Sequence, residues 1–230
     1  MSAGDQLPTE QELCQEYGVS RITLRRAIED ISRDGQVVRS QGRGTFKTES
    51  PTASREVISS QIKGFYRQQL DLGRYVHTKV ISNEVVRNTP VARVLGIDPS
   101  FGIIRLERLR YVNDILQQHV VTYLSLERFP EVLQEDFTSG SLYDFLQSRY
   151  GVKLERDEVV VRIEEARGQV AGYFDVHEGT PVLAMDSTVF GSEGEVVCYG
   201  IALHPPRHSE IKFIIGNPAV SLDESPKSAQ

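Results

Sequence analysis

LPTEQELCQEYGVSRITLRRAIEDISRDGQVVRSQGRGTF, residues Leu7 to Phe46, parses into helix, tight turn, helix and a two-stranded hairpin with a basic Gly-Arg-Gly tip. Thr9 followed by Glu12 is a capping box that opens the first helix. Leu13 and Tyr17 are spaced to face inward, and Gly18 supplies a turn that needs a left-handed residue. Ser20 caps a second helix whose apolar stripe is Leu24, Ala27, Ile28 and Ile31, and Gly35 ends it. Arg21 and Arg25, four residues apart, share one face near the start of that helix, with Thr23 on an adjoining face. That is the chemistry of a recognition helix, whose first turns meet base edges in the major groove, where Arg forks to guanine. Gln36 to Ser40 and Thr45 to Thr48 read as strands, and Gln41-Gly42-Arg43-Gly44 turns between them toward phosphate or minor groove. A cluster such as Arg21, Arg25 and Arg26 is more often an ordinary solvated helix face. The order of cap, turn, glycine stop and basic wing favours DNA.

Composition bounds the rest. A chain of 230 residues with 39% hydrophobic and 25% charged residues is an ordinary globular protein of two modest domains or one large one. Its formal net charge of -6 argues against indiscriminate nucleic-acid binding. Between Arg21 and Lys47, however, seven basic side chains face three acidic ones, a local surplus suited to phosphate. Cys14 and Cys198 both sit in apolar patterns and read as buried free thiols. No apolar run nears the roughly 20 residues of a membrane span, and no signal-peptide pattern opens the chain, so a cytoplasmic location is expected.

Four segments follow along the chain: a DNA-binding head at 1–48, a connector at 49–58, a second domain at 59–215 and a disordered tail at 216–230. In the second domain, Gln61 to Leu72 reads as an amphipathic helix. Strands fit Val76–Arg87, Ile103–Val112, Leu116–Leu124, Val159–Arg167, Val182–Phe190 and Val196–Leu203, with short helices at Pro90–Leu95 (Thr89 as cap), Ser141–Tyr150 and Gln169–Phe174. Antiparallel hairpins interrupted by helices make an α+β fold. Val91-Ala92…Leu95-x-Ile97…Gly102-x-Ile104-x-Leu106 also parallels Val170-Ala171…Phe174-x-Val176…Pro181-x-Leu183-x-Met185 at a constant offset of 79. Two such units back to back predict a pseudo-symmetric sheet with a cleft between its halves.

Arg108 and Arg110 alternate with Leu109, so both guanidinium groups leave one face of a strand, opposite Arg105. Such a pair grips phosphate, phosphonate or carboxylate, and Ser141 and Tyr143 at a helix start add hydroxyls and free backbone N–H groups. The bland alternative pairs the two arginines with carboxylates such as Glu127 or Asp136. His119, His204 and His208 match no trusted metal-ligand spacing, and neither a metal nor another cofactor is expected.

The stretch LPTEQELCQEYGVSRITLRRAIEDI…DG…QGRGTF resembles the winged helix-turn-helix of the GntR family of bacterial transcriptional regulators. The resemblance implies DNA contacts at Gln11, Ser20, Arg21, Thr23, Arg25, Gly42 and Arg43, with Gln11 replacing a frequent Arg. Family members carry a further helix upstream, whereas only Met1 to Gln6 precede this stretch, so the head is expected to be incomplete. GFYRQQLDLG (Gly64–Gly73), RLERLRYVND (Arg105–Asp114) and GSLYDFLQSRYGV (Gly140–Val152) resemble the UTRA effector domain of the HutC branch. This implies a chorismate-lyase-like antiparallel sheet that binds an effector through Arg108, Arg110, Ser141 and Tyr143, with Phe65 and Tyr66 closing the pocket. Two departures stand out: Val120 where many sugar-phosphate-binding relatives have Glu, and His204-Pro205-Pro206-Arg207-His208 in place of an Asp-Arg-Tyr-like stretch. A carboxylate for sugar hydroxyls is therefore expected to be missing. The effector stays open among a sugar phosphate, a phosphonate, another small anion or an aromatic metabolite. The expectation is a homodimeric, effector-controlled repressor of a double-stranded DNA operator, without enzymatic activity and without membrane contact. The alternatives are a metabolite sensor that no longer binds DNA and a lyase-like enzyme.

Overall fold

Thr9 starts α1 (Glu10–Tyr17) as its capping box requires: Glu12 N donates to Thr9 Oγ1 at 3.3 Å, and Thr9 N donates to Glu12 Oε2 at 2.8 Å. The computed structural model describes residues 5–33, 37–40, 44–47, 54–58, 62–207 and 209–213. Gly18 ends α1 at φ 64°, left-handed, and Ser20 Oγ accepts from Thr23 N at 3.2 Å to cap α2 (Arg21–Arg33). Leu24 and Ile28 are the buried members of the expected stripe, while Ile31 is half-buried and Ala27 exposed. Tyr17, expected inside, is 67% exposed. α1 is only two turns long, its partly covered positions are Glu10, Leu13 and Cys14, and Tyr17 is its last residue.

β1 (Val37–Ser40) and β2 (Gly44–Lys47) form the antiparallel wing hairpin. The chain before α1 lies along β2, with Leu7 N donating to Thr45 O and Lys47 N donating to Asp5 O, each at 2.8 Å. Gly44 takes φ 113°, a conformation that favours glycine, and a Cβ there would displace the end of the Gln6 side chain. Gly35, Gly42, Arg43, residues 49–53, His208 and the tail at 216–230 lie outside the described residues.

Ser54–Ile58, assigned from the sequence to the connector, form β3, which pairs in parallel with β10 (Ser209–Phe213). Strand β3 leads to α3 (Phe65–Asp71). The second domain is then a β-α-β-β unit used twice. The first is β4 (Val76–Val86), α4 (Thr89–Leu95), β5 (Ile103–Val112) and β6 (Ile115–Ser125). After α5 (Leu142–Tyr150) comes the second: β7 (Leu154–Glu165), α6 (Gln169–Phe174), β8 (Pro181–Gly191) and β9 (Val196–His204). The six strands lie antiparallel in the order β4-β5-β6-β9-β8-β7.

The offset of 79 holds through the third element of each unit, since Val80 pairs with Arg108 as Val159 pairs with Ser187. The longer second hairpin adds one residue, so Gln118 lies opposite Arg110 as Cys198 lies opposite Val189. The internal two-fold axis therefore passes through the Val121–Ile201 pair at the centre of the sheet. No cleft separates the halves as the repeat alone had predicted. β6 and β9 pair directly, and the sheet runs on unbroken.

Each face of the sheet is covered differently. On one, α5 buries Leu142 and Leu146 against Ile104, Leu106 and Leu124, joined by Phe129 and Val132 around a 3-10 turn (Pro130–Leu133). On the other, α4 packs Ala92 and Leu95 on Ile103, and α6 packs Ala171 and Phe174 on Val182. The cap of α4 is Asn88, whose Oδ1 accepts from Val91 N at 3.1 Å; Thr89, expected as the cap, is the first helical residue. Pro90 lacks an N–H, so the free donor in that first turn falls to Val91, which Asn88 reaches.

Candidate functional site

The head presents Gln11, Ser20, Arg21, Thr23 and Arg25 to solvent. Three of these residues are already engaged. Ser20 Oγ and Thr23 Oγ1 share a 2.9 Å hydrogen bond, and Arg25 Nε pairs with Glu10 Oε2 at 2.9 Å across the two helices. Glu10, absent from the residues expected from sequence, is thus the partner of Arg25. The Arg21 side chain leaves the first turn of α2 beside Ile22, which is also exposed.

The second site is a cavity of about 300 Å³ on the α5 face of the sheet. Its floor comes from β5 and β6 of the first unit and β7, β8 and β9 of the second. α3 and the start of α5 form its rim, and Phe65, Tyr66, Arg108, Arg110, Ser141 and Tyr143 all line it. These six residues are brought together from three separate parts of the chain.

Arg108 is the centre of the site. It is 2% exposed, its Nη2 donates to Thr122 Oγ1 at 3.0 Å, and its Nε has no hydrogen-bond partner. Its guanidinium carbon lies 5.8 Å from the centre of the Phe137 ring. Burial, then the charge of Arg110, pushes the Arg108 pKa well down from its ordinary value. Since arginine keeps its proton in proteins, that pressure amounts to an unmet demand for negative charge. Arg110 Nη1 donates to Gln118 Oε1 at 3.2 Å, and its guanidinium carbon lies 5.9 Å from the Phe65 ring centre. Asp136, offered by the bland alternative, accepts instead from Thr138 N at 2.9 Å, and among the described residues Arg108 makes no ion pair.

Ser141 is the N-cap of α5 and accepts from Asp144 N at 3.3 Å. Tyr143, the second residue of α5, has its phenol pKa raised well above the ordinary value by burial, so it remains a hydrogen-bond donor. Arg105 lies on the opposite face as expected, bound to Glu107 Oε2 at 2.7 Å, and His119 Nε2 meets Glu107 Oε1 at 2.7 Å. Burial works against that carboxylate, but hydrogen bonds from His119 and Arg105 outweigh it and hold its pKa low.

The cavity also holds a carboxyl group that the sequence reading expected to be absent. Val120 does line the floor, yet Asp157 of β7 lines it too and accepts from Ser187 Oγ at 2.6 Å. Burial raises the Asp157 pKa, against the Ser187 hydrogen bond. Asp157 was hidden in Leu-Glu-Arg-Asp-Glu, which reads as a solvated charge run. The repeat was the available signal, because Ser187 is the counterpart of Arg108 in the second unit. Cys198, also on the floor, is a free thiol whose pKa burial pushes up to about 12, so it is protonated and unreactive. His204 is held near a pKa of about 4 by burial and then by Arg110, and is neutral at ordinary pH.

A helix-turn-helix head and an arginine-floored cavity in one chain define a ligand-responsive DNA-binding regulator. The family model for bacterial regulatory proteins of the gntR family matches residues 1–46, and that for the UTRA domain matches residues 71–209. An HTH-type transcriptional regulator of Bacillus subtilis, YurK, is 31% identical over 92% of this chain and 86% of its own length. A probable fructoselysine utilization operon transcriptional repressor of Escherichia coli is 29% identical over 85% of this chain and 79% of its own. Among solved structures, PhnF from Mycobacterium smegmatis superposes with a TM-score of 0.68 at 20% identity, covering 94% of both chains. The chain belongs to the GntR family of transcriptional regulators and carries a UTRA domain. The relatives are named as regulators rather than as enzymes, and among the described residues no helix is long and apolar enough to cross a membrane.

Proposed function

We propose that this regulator is a dimeric repressor whose hold on its operator is released by a small anionic metabolite bound in the cavity above the sheet. The observation that carries the reading is Arg108: a buried guanidinium with an unpaired Nε, beside a second guanidinium, in a cavity sized for a metabolite. An oxyanion on Arg108 and Arg110 also reaches the Ser141 hydroxyl and the first N–H groups of α5. Asp157 and Ser187 serve the other end of the ligand, where a carboxylate accepts from hydroxyl or ammonium groups. A phosphorylated or otherwise anionic polyol fits both ends, and the fructoselysine relative's name supports a sugar-derived effector of this kind.

The cavity is coupled to the head through the chain itself. Ile58 of β3 and Ile62 to Tyr66 line it, and this segment leads from the head into the second domain. A ligand that repositions this segment changes the spacing of two heads in a dimer, and operator affinity falls by the difference between the two states, about 5- to 150-fold for typical allosteric coupling. In the head we assign base readout to Arg21, and backbone contacts to Gln11, Ser20, Thr23, Arg25, Gly42 and Arg43.

The test is fluorescence anisotropy with DNA from upstream of the protein's own gene against scrambled DNA, titrated with anionic metabolites. Arg108→Ala is expected to bind operator as the wild type does and to lose its response to the inducing metabolite. An unchanged response would remove the anion from this cavity.

A further inference from the structure

α2 carries its apolar stripe on one side, and a single large apolar side chain stands on the other. Leu24 and Ile28 are 8% and 3% exposed, whereas Ile22 is 71% exposed, the most of any large apolar side chain among the described residues. At about 3.6 residues per turn, Ile22 lies roughly 140° around the helix from the middle of that stripe. It stands between Arg25 and Arg26, both also exposed. One exposed isoleucine on an ordinary surface needs no explanation. This one occupies the first turn of the helix to which base readout is assigned, and it takes no part in the core. Being β-branched, it is also a poorer helix former than the alanine, glutamate or lysine that would serve an exposed position there.

The neighbours of Ile22 decide what covers it. Two guanidinium groups flank it, in the basic stretch of an otherwise acidic chain. An apolar surface on another protein would leave both without a counter-charge. The major groove of DNA meets both demands, with phosphates along its rim and one apolar group on its base edges, the C5-methyl of thymine. We infer that Ile22 reads a thymine methyl group in the major groove, beside the base read by Arg21.

The side chain suits that task. In a helix, isoleucine holds one χ1 rotamer about 90% of the time, so its methyl groups point one way and lose little freedom on contact. The polar groups around it are more committed. Ser20 Oγ and Thr23 Oγ1 are bonded to each other at 2.9 Å, Ser20 Oγ also accepts from Thr23 N at 3.2 Å, and Arg25 Nε is held by Glu10 at 2.9 Å. Arg21 and Ile22 then divide the readout, with a fork of donors for guanine and an apolar contact for thymine.

The inference rests on the placement of α2 in the major groove, and the two can fail separately. The probe is an operator that the full-length protein selects from random duplex DNA, with each thymine replaced in turn by deoxyuridine. That exchange keeps the base pairing and removes only the methyl group. In fluorescence anisotropy, one such replacement is expected to weaken wild-type binding about fourfold, the value of one buried methyl group. Ile22→Ala is expected to lose at least that factor on the thymine operator and to be indifferent to the same deoxyuridine. Ile22→Val, which keeps the branch, is expected to retain most of the deoxyuridine penalty. Because Ile22 lies outside the core, both variants should melt near the wild-type temperature. Wild-type binding that no deoxyuridine weakens, a penalty that persists in Ile22→Ala, or an Ile22→Ala variant with wild-type affinity would each overturn the thymine contact. Operator preference that still depends on Arg21 would then leave the placement of α2 standing. A protein that selects no sequence at all would overturn both.

Discussion

Asp157 is the residue at which the site departs furthest from its sequence. A carboxyl group placed among Tyr143, Cys198 and Ser187 loses water, and its single hydrogen bond from Ser187 does not restore what burial removes, so its pKa rises. The sign of the consequence follows from linkage. A carboxyl whose folded pKa lies above its unfolded value favours folding while protonated, and that contribution is lost as pH rises through the folded pKa. Asp157→Asn keeps the shape and removes the charge. In the absence of ligand, it is therefore expected to melt higher than the wild type at pH 7.5, with the difference closing below about pH 4, where even an unfolded Asp is half protonated. Thermal melts across that range check it, and a gap independent of pH would show that the carboxylate is well solvated. The same variant should bind the inducing metabolite less well if Asp157 accepts hydrogen bonds from it. Arg108 and Arg110 could be read from sequence because two arginines separated by one leucine reveal a shared face. Asp157 could not, because Glu155, Arg156 and Glu158 around it give every face of that stretch a charge.

Most elements were legible because each carries its own period or its own stop. The strands at Ile103–Val112 and Pro181–Gly191 are rich in apolar residues, and Asn113-Asp114, both at positive φ, mark the hairpin that follows the first. What escaped depends on partners distant in sequence. β3 and β10 are five residues each, too short to show a period, and they pair in parallel across some 150 residues of intervening chain. β7 begins at Leu154, five residues before the expected start, because its first residues are polar and are held by β8 rather than by any apolar face of their own. Cap identity sits between these cases. Asn88 and Thr89 are both good caps, and the choice rests on which side chain reaches the free N–H of Val91. Asn88→Ala is expected to cost about 1 kcal/mol, a fall of about 2–4 °C in melting temperature for a domain of this size. Thr89→Ala is expected to cost much less, and calorimetry that ranked them the other way would return the cap to Thr89.

Across the whole molecule, charge and symmetry divide the work. The chain is acidic overall, with a formal net charge of -6, while the stretch from Arg21 to Lys47 is basic, so attraction to DNA is confined to the head and the rest of the surface opposes it. Such a protein gains little from non-specific contact, and its selectivity has to come from a few base-reading side chains. Arg25 is partly spent on Glu10, which leaves Arg21, at the first position of α2, as the better-placed reader of a base edge. Arg21→Ala is therefore expected to lose about 1–3 kcal/mol of operator affinity, roughly 5- to 150-fold, while affinity for scrambled DNA changes only slightly. Binding should weaken with salt for both proteins, with nearly the same slope on operator, since a base contact releases no phosphate counterion. Anisotropy titrations at two salt concentrations read both quantities at once. An equal loss on operator and scrambled DNA, with a shallower salt slope, would make Arg21 a phosphate contact and move sequence readout to other residues of the head.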